Sequence, residues 1–319
     1  MARSEFQLIQ HFFQRAFDKS AVGVALGIGD DAAVVAHRPD EQLVISTDTA
    51  NAGVHFPAAA SGELVARRAF GCALSDLAAM AAEPRWLLLN LCLPSLDEPW
   101  LQAFAEAFAA SARQFNCHLI GGDTTSGPLS ISVTVLGVVP IGHAVTRVGA
   151  VAGDAVFVTG QLGLGAAGLA ALTGSEGLSP EIAPLALQHY SAPQPQISAG
   201  LALRGIASAM IDISDGLVAD LGHICSASGV KAQINAGHLP LPLQLRDHPQ
   251  GLNWALRGGD DYQLCFTVPQ PRLPELERLI AEGAIVANRI GEIMAGSGVV
   301  VHDDNGRRLA LARGGYQHF

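Results

Sequence analysis

The sequence predicts a mixed α/β (α+β) protein of two domains, and three observations carry that expectation. The chain has 319 residues, too many for one ordinary core and about right for two domains of roughly 150 residues. Short β-type runs alternate with helical, Ala- and Leu-rich stretches through both halves. Pro140, Gly142, Gly149 and Gly153 then punctuate the middle, just before a fresh apolar strand, which places a boundary near residues 145–152. Two domains with a cleft between them are expected, divided as 1–148 and 149–319.

In the first half, Ala32–Ala36 and Leu43–Thr47 read as strands, Gly62–Ala81 as a helix and Trp86–Leu93 as a buried strand. Asp97 is placed to cap a helix over Glu98–Phe115, followed by a short strand at His118–Ile120 and a long one at Ser130–Val139. The second half predicts a strand at Ala155–Thr159, a small-residue helix at Leu164–Leu172 and a Pro-rich connection. A helix over Gln196–Ala207, a strand at Met210–Ile213, a helix after Gly216, a strand over Tyr262–Val268, a helix over Leu273–Glu282 and two closing strands complete it.

Composition excludes several classes. A net charge of -10 argues against a nucleic-acid scaffold, which would carry a basic face. The longest apolar run, Val133–Val145, is broken by Gly137, Pro140, Gly142 and His143, so no membrane span is expected. Met1–Phe17 reads as an amphipathic helix and not as an export signal, which points to a cytoplasmic protein. The five cysteines are odd in number, scattered and without C-x-x-C spacing, as buried free thiols in a reducing compartment would be. With 49% hydrophobic and only 15% charged residues, the surface has little polar cover, which makes a subunit interface plausible.

Five segments set aspartate beside glycine, serine or threonine: Gly27-Ile28-Gly29-Asp30-Asp31, Ser46-Thr47-Asp48-Thr49, Ser75-Asp76, Gly121-Gly122-Asp123-Thr124 and Asp212-Ile213-Ser214-Asp215-Gly216. One such pair is usually a turn or a helix cap. Together they form a hard oxygen donor set suited to Mg²⁺, which takes a few carboxylates along with phosphates and water. Asp76 stands out because its predicted helix is otherwise small or apolar there, with Arg67 and Arg68 more than two turns away. The chain has two lysines, Lys19 and Lys231, and neither lies in a phosphate-binding G-x-x-x-x-G-K-[ST] loop. Any bound phosphate must then be neutralised by metal and arginine, and Arg147 at the domain boundary is the arginine best placed for it.

Two patterns mislead. Gly163-Leu164-Gly165-Ala166-Ala167-Gly168 follows a strand and opens a helix like a dinucleotide fingerprint, but the second buried strand is missing; the helix start remains a place where an anion would be favoured. Asp212-x-Ser214-x-Gly216 imitates a calcium loop, yet Leu217 and His223 stand where glycine and glutamate are required.

In this order the segments resemble the thiamine-monophosphate kinases, a family of the aminoimidazole ribonucleotide synthetase-like superfamily. The likeness adds Glu5-Phe6, Gly53-Val54-His55-Phe56, Leu74-Ser75-Asp76-Leu77-Ala78-Ala79-Met80 and the ending Gly315-Tyr316-Gln317-His318-Phe319. It implies an N-terminal ATP- and magnesium-binding domain whose sheet forms a homodimer, and a C-terminal α/β sandwich that completes the active site. It implies transfer of the γ-phosphoryl of ATP to thiamine monophosphate. Asp31, Ser46, Thr47, Asp48, Asp76, Asp123, Asp212 and Asp215 are then expected to hold Mg²⁺. Gly122, Asp123, Arg147 and Ser214 are expected to meet ATP, and His55, Asp260 and Tyr316 thiamine monophosphate. The acceptor phosphate is already ionised near neutral pH, so no general base is expected. Two departures from the family pattern touch the pocket wall: Gly258-Gly259-Asp260-Asp261-Tyr262-Gln263 replaces Gly-Gly-Glu-Asp-Tyr-Glu, and Ala50-Asn51 replaces Leu-Val. Selenophosphate synthetase and the hydrogenase-maturation dehydratase need terminal cysteines that this chain lacks; aminoimidazole ribonucleotide synthetase and a non-catalytic nucleotide or metal sensor are the remaining alternatives.

Overall fold

The computed structural model describes residues 5–14, 21–28 and 32–310. Asp31 and Tyr316, and residues 1–4 and 15–17 of the predicted N-terminal helix, lie outside that range. Two compact units emerge: Met1–Leu77 with Ala82–Gly142, and His143–Phe319 with the four residues Ala78–Ala81.

The first unit starts with α1 (Glu5–Leu8), which widens into a further helical turn over Ile9–Gln14 that buries Phe12 and Phe13. Strands β1 (Val24–Leu26) and β2 (Val34–Val35) form a small antiparallel ladder. The main sheet contains β3 (Glu41–Asn51), β4 (Glu83–Leu93), β5 (His118–Ser126) and β6 (Ser130–Pro140), ordered β3-β6-β4-β5. Only β4 and β5 run parallel, because the crossover helix α3 (Glu98–Gln114) lies between them in sequence. Asp97 caps α3 as the sequence predicts, its carboxylate accepting the Trp100 N–H at 3.1 Å.

Strand periodicity then sorts the faces. Ile131, Val133 and Val135 are fully buried, while the intervening Ser132 and Thr134 are half-buried on the opposite side. Phe70 of helix α2 (Gly62–Ala79) meets Phe108 of α3 edge-on at 5.5 Å, and Phe108 stacks on Phe104 at 5.6 Å. On the other face Leu43 and Ile45 of β3 remain exposed, Ile45 by 60%.

The second unit has a six-stranded sheet, β12-β9-β11-β7-β10-β8. Its elements in order are β7 (Ala155–Thr159), α4 (Leu164–Thr173), α5 (Ala183–Ser191), α6 (Ile197–Ala202), β8 (Ala209–Asp212), α7 (Leu217–Ser228) and β9 (Lys231–Asn235). There follow α8 (Leu243–Arg246), α9 (Gly251–Arg257), β10 (Leu264–Val268), α10 (Leu273–Ala281), β11 (Ala287–Met294) and β12 (Gly298–His302). Val156, Val158, Ile211, Leu221, Ile224, Ile234 and Ile290 form its main core, and Leu164, Ala167, Ala186, Leu245 and Trp254 a smaller one.

The structure corrects several element boundaries. Strand β5 runs on through Gly121–Ser126, where composition suggests a turn, because pairing with β4 supplies the ladder that Gly, Asp and Thr do not favour alone. The helix expected over Gln196–Ala207 stops at Ala202, and Gly205 takes a left-handed φ of 77° shortly after. The Pro-rich connection contains α5, and β9, α8 and α9 have no counterpart in the sequence reading. Cys117, Cys225 and Cys265 are buried and outside any disulfide as expected, whereas Cys72 and Cys92, also outside any disulfide, are only half-buried. Among the described residues no helix is long and apolar enough to cross a membrane.

Candidate active site

In the first unit the chemistry-bearing residues lie on β3, α2 and β5. On β3 the alternation turns Ser46 toward α2, and its hydroxyl donates to the Asp76 carboxylate. That contact answers the question the sequence raises about Asp76, since Arg67 is engaged elsewhere, with Glu63 at 2.8 Å. Thr47 points the other way: its Oγ1 lies 3.0 Å from Oγ1 of Thr134, and Thr49 likewise meets Ser132 at 2.8 Å. The structure therefore brings Ser46 and Asp76 together and leaves the Thr47 side chain on the opposite face. Asp48 is exposed, and its Oδ1 accepts the Thr49 N–H at 2.8 Å.

Asp123 sits on β5 at the far edge of the same sheet, paired in register with Asn90. Its Oδ1 accepts the Thr124 N–H at 2.8 Å. Gly122 must be glycine, because it has a φ of 144° and any Cβ there would lie 1.9 Å from the Leu89 carbonyl oxygen. Three strand spacings separate β3 from β5, roughly 14 Å along the sheet. One ion cannot be held by Asp48 and Asp123 of the same chain. After β3 the chain turns at Gly53, and His55 Nδ1 accepts the Asn51 N–H at 3.0 Å, which puts the neutral ring's proton on Nε2.

In the second unit three segments converge. The pairing of β8 with β10 continues past the strand ends: Ile213 N–H donates to Gln263 O at 2.8 Å, Tyr262 N–H to Ile213 O at 2.8 Å, and Asp260 N–H to Ser214 O at 2.9 Å. Asp212, Ser214 and Asp215 are thereby stitched beside Asp260, whose Oδ1 accepts the Tyr262 hydroxyl at 3.2 Å. The third segment is the Gly163–Gly165 turn opening α4. Arg147 is exposed, and its carbonyl accepts the Ser228 hydroxyl at 3.1 Å.

Two buried carboxylates that hold these segments carry no role in the sequence reading. Asp220, one turn into α7, accepts the N–H groups of Ser214, Asp215 and Gly216 at 3.1, 3.1 and 3.0 Å. Burial, with the Asp212 and Asp215 carboxylates nearby, pushes its carboxyl up to about 7. Asp261, 1% exposed, accepts the Gly163 N–H at 2.8 Å and the Gly165 N–H at 3.0 Å, and burial pushes it up to about 7 as well. The signal for Asp261 is the glycine pattern at 163–168: the acceptor that takes the N–H groups at that helix start is a carboxyl of the chain itself. Among the described residues no three His, Cys, Asp or Glu side chains gather around one metal-sized point.

The chain matches two family models: the AIR synthase related protein N-terminal domain over residues 29–139, and the corresponding C-terminal domain over residues 151–304. It is 43% identical to the thiamine-monophosphate kinase of Salmonella typhimurium strain LT2 over 323 aligned residues, covering 100% of this chain and 99% of that one. The chain belongs to the thiamine-monophosphate kinase family. Solved structures agree with the family. The thiamine-monophosphate kinase of Stenotrophomonas maltophilia K279a superposes with a TM-score of 0.84 at 41% identity, covering 97% of this chain and 99% of that one. AaThiL complexed with AMPPCP and TMP superposes with a TM-score of 0.78 at 31% identity, covering 100% and 99%. The family thus carries the two-domain mixed α/β architecture expected from sequence.

Proposed function

We propose that this chain phosphorylates thiamine monophosphate with ATP, giving thiamine diphosphate. The observation that carries the reading is the end-to-end likeness to thiamine-monophosphate kinases at up to 43% identity, together with a solved relative holding an ATP analogue and TMP. The acceptor is a phosphate oxygen already ionised near neutral pH, so the protein has no proton to remove before attack. Its task is to orient two polyanions in line against their mutual repulsion.

The donor set fits Mg²⁺ by its chemistry: all oxygen, mostly carboxylate, and spread so that each residue supplies few ligands and leaves positions for phosphate and water. Asp31, Ser46, Asp48, Asp76, Asp123, Asp212 and Asp215 would hold the ions, with Thr47 contributing from its main chain because its hydroxyl faces Thr134. Bound magnesium would offset the charge that gathers on the transferring phosphoryl group. The chain's own part is to hold the carboxylates still. The Ser46 hydroxyl orients Asp76, and Asp220 fixes the backbone of Ser214–Gly216. Gly122, Asp123, Arg147 and Ser214 are assigned to ATP, and His55, Asp260 and Tyr316 to thiamine monophosphate. Asp260 is one methylene shorter than the usual glutamate, and the Tyr262 hydroxyl steadies it.

A cytoplasmic homodimer is part of the same reading. The exposed Leu43 and Ile45, and the sheet edges β3 and β5, which pair with no further strand among the described residues, support it. The deciding assay incubates pure protein with ATP, Mg²⁺ and thiamine monophosphate and looks for thiamine diphosphate by chromatography. Absence of product, with the protein folded, would sink the reading; a monomer mass by light scattering at micromolar concentration would remove the dimer.

A further inference from the structure

Asp260 and Tyr262 are both non-glycine residues in the left-handed region, at φ values of 67° and 47°, with Asp261 between them. Such a pair persists only where the surroundings hold it. The holding contacts converge on Asp261. Its two carboxylate oxygens take the N–H groups of Gly163 and Gly165, and its carbonyl lies 3.0 Å from His189 Nε2. The opposing turn is shaped to fit: a Cβ on Gly165 would lie 2.3 Å from the Asp260 carbonyl oxygen and 2.4 Å from its carbonyl carbon. Gly259 is equally tight, its Cβ position falling 2.3 Å from Ser214 O. The glycine pattern that imitates a dinucleotide fingerprint thus serves to let the Asp260 backbone approach the start of α4.

We propose that Asp261 is a positioning residue for acceptor binding, clamping the Gly163–Gly165 turn so that the neighbouring Asp260 is held in its left-handed conformation with its carboxyl presented to thiamine monophosphate. This rests on the reading that Asp260 meets the acceptor. Asparagine at 261 keeps one acceptor oxygen but sets an amide donor against a backbone N–H, so one bond of the clamp is lost and replaced by a donor facing a donor. Asp260 then relaxes away from its strained backbone.

The test compares wild type, Asp260→Ala, Asp261→Asn and the double variant. Asp261→Asn is expected to raise the KM for thiamine monophosphate by about tenfold or more while kcat and the KM for ATP change by less than about threefold. Because Asp261 acts through Asp260, the double variant should match Asp260→Ala in acceptor KM within about twofold. Additive effects, or a lowered Tm with unchanged acceptor KM, overturn the proposal. Should Asp261→Asn fail to fold, Gly165→Ala disturbs the same contact from the opposite side with the carboxylate intact, and the same KM signature is expected; its absence overturns the proposal. Hydrogen exchange keeps this inference separable from the acceptor assignment. Faster exchange at the Gly163, Gly165 and Asp260 amides in Asp261→Asn supports the clamp even if wild type turns over another acceptor, and unchanged exchange there overturns it.

Discussion

The Ser46 hydroxyl on β3 donates to the Asp76 carboxylate on α2, joining residues 30 apart in sequence. A carboxylate held this way keeps its second oxygen's direction fixed, which suits a ligand that must not swing as phosphate charge shifts. Asp76→Asn preserves shape and removes the charge. Turnover at saturating ATP, Mg²⁺ and thiamine monophosphate is expected to fall by about 100- to 1,000-fold, or roughly 3 to 4 kcal/mol. If the folded variant stays within about threefold of wild type, Asp76 only tethers its helix.

Divalent metal is expected to be required. Neither of the chain's two lysines lies in a phosphate-binding loop, and Arg147 is the arginine assigned to phosphate, so metal is left to offset most of the charge of two bound polyanions. Activity should vanish in excess chelator and return with added Mg²⁺. Undiminished turnover in the chelator would remove the metal-centred mechanism.

The loops that matter were legible in the sequence as aspartates beside glycine, and Asp97 as a cap was legible from its position before an apolar periodicity. What composition could not convey was pairing. Gly121–Ser126 reads as a turn because its residues favour turns, and only the partner strand β4 makes it a strand. Likewise a strand over Leu43–Thr47 already sets Ser46 and Thr47 on opposite faces, but only the placement of α2 decides which of the two meets Asp76. Asp220 and Asp261 escaped the reading because their partners are backbone N–H groups; those of Asp261 lie 96 and 98 residues away. Gly163–Gly168 carried a true signal of an acceptor group at a helix start, but that group is a carboxyl of the chain itself.

Gly122→Ala should destabilise the first unit. The added methyl group would lie 1.9 Å from the Leu89 carbonyl oxygen at a backbone φ of 144°, and the obstacle is backbone, which cannot swing aside as a side chain does. A loss of about 2 to 4 kcal/mol is expected, seen as a lower urea midpoint with unchanged slope. An unfolding free energy within about 0.5 kcal/mol of wild type would mean that β5 shifts freely against β4.

Asp261 also sets a pH dependence of stability. Burial raises its carboxyl to about 7 in the folded chain, above the usual value of about 3.9 for an exposed aspartate, despite the Gly163, Leu164 and Gly165 N–H groups that favour the ionised form. Relative to the unfolded chain, the folded state therefore holds this proton more tightly. Stability from this group is complete below about pH 4 and is lost as pH rises through about 7, with a slope of at most about 1.4 kcal/mol per pH unit. His189 works with the opposite sign: burial holds its ring below the usual range, so its contribution is lost as the solution is acidified. Subtraction isolates Asp261. The unfolding free energy of wild type minus that of Asp261→Asn, measured in urea between about pH 5 and pH 8, should fall with rising pH and then level off. A difference that rises with pH would mean that the Gly163 and Gly165 amides outweigh burial, and that the clamp is ionised throughout.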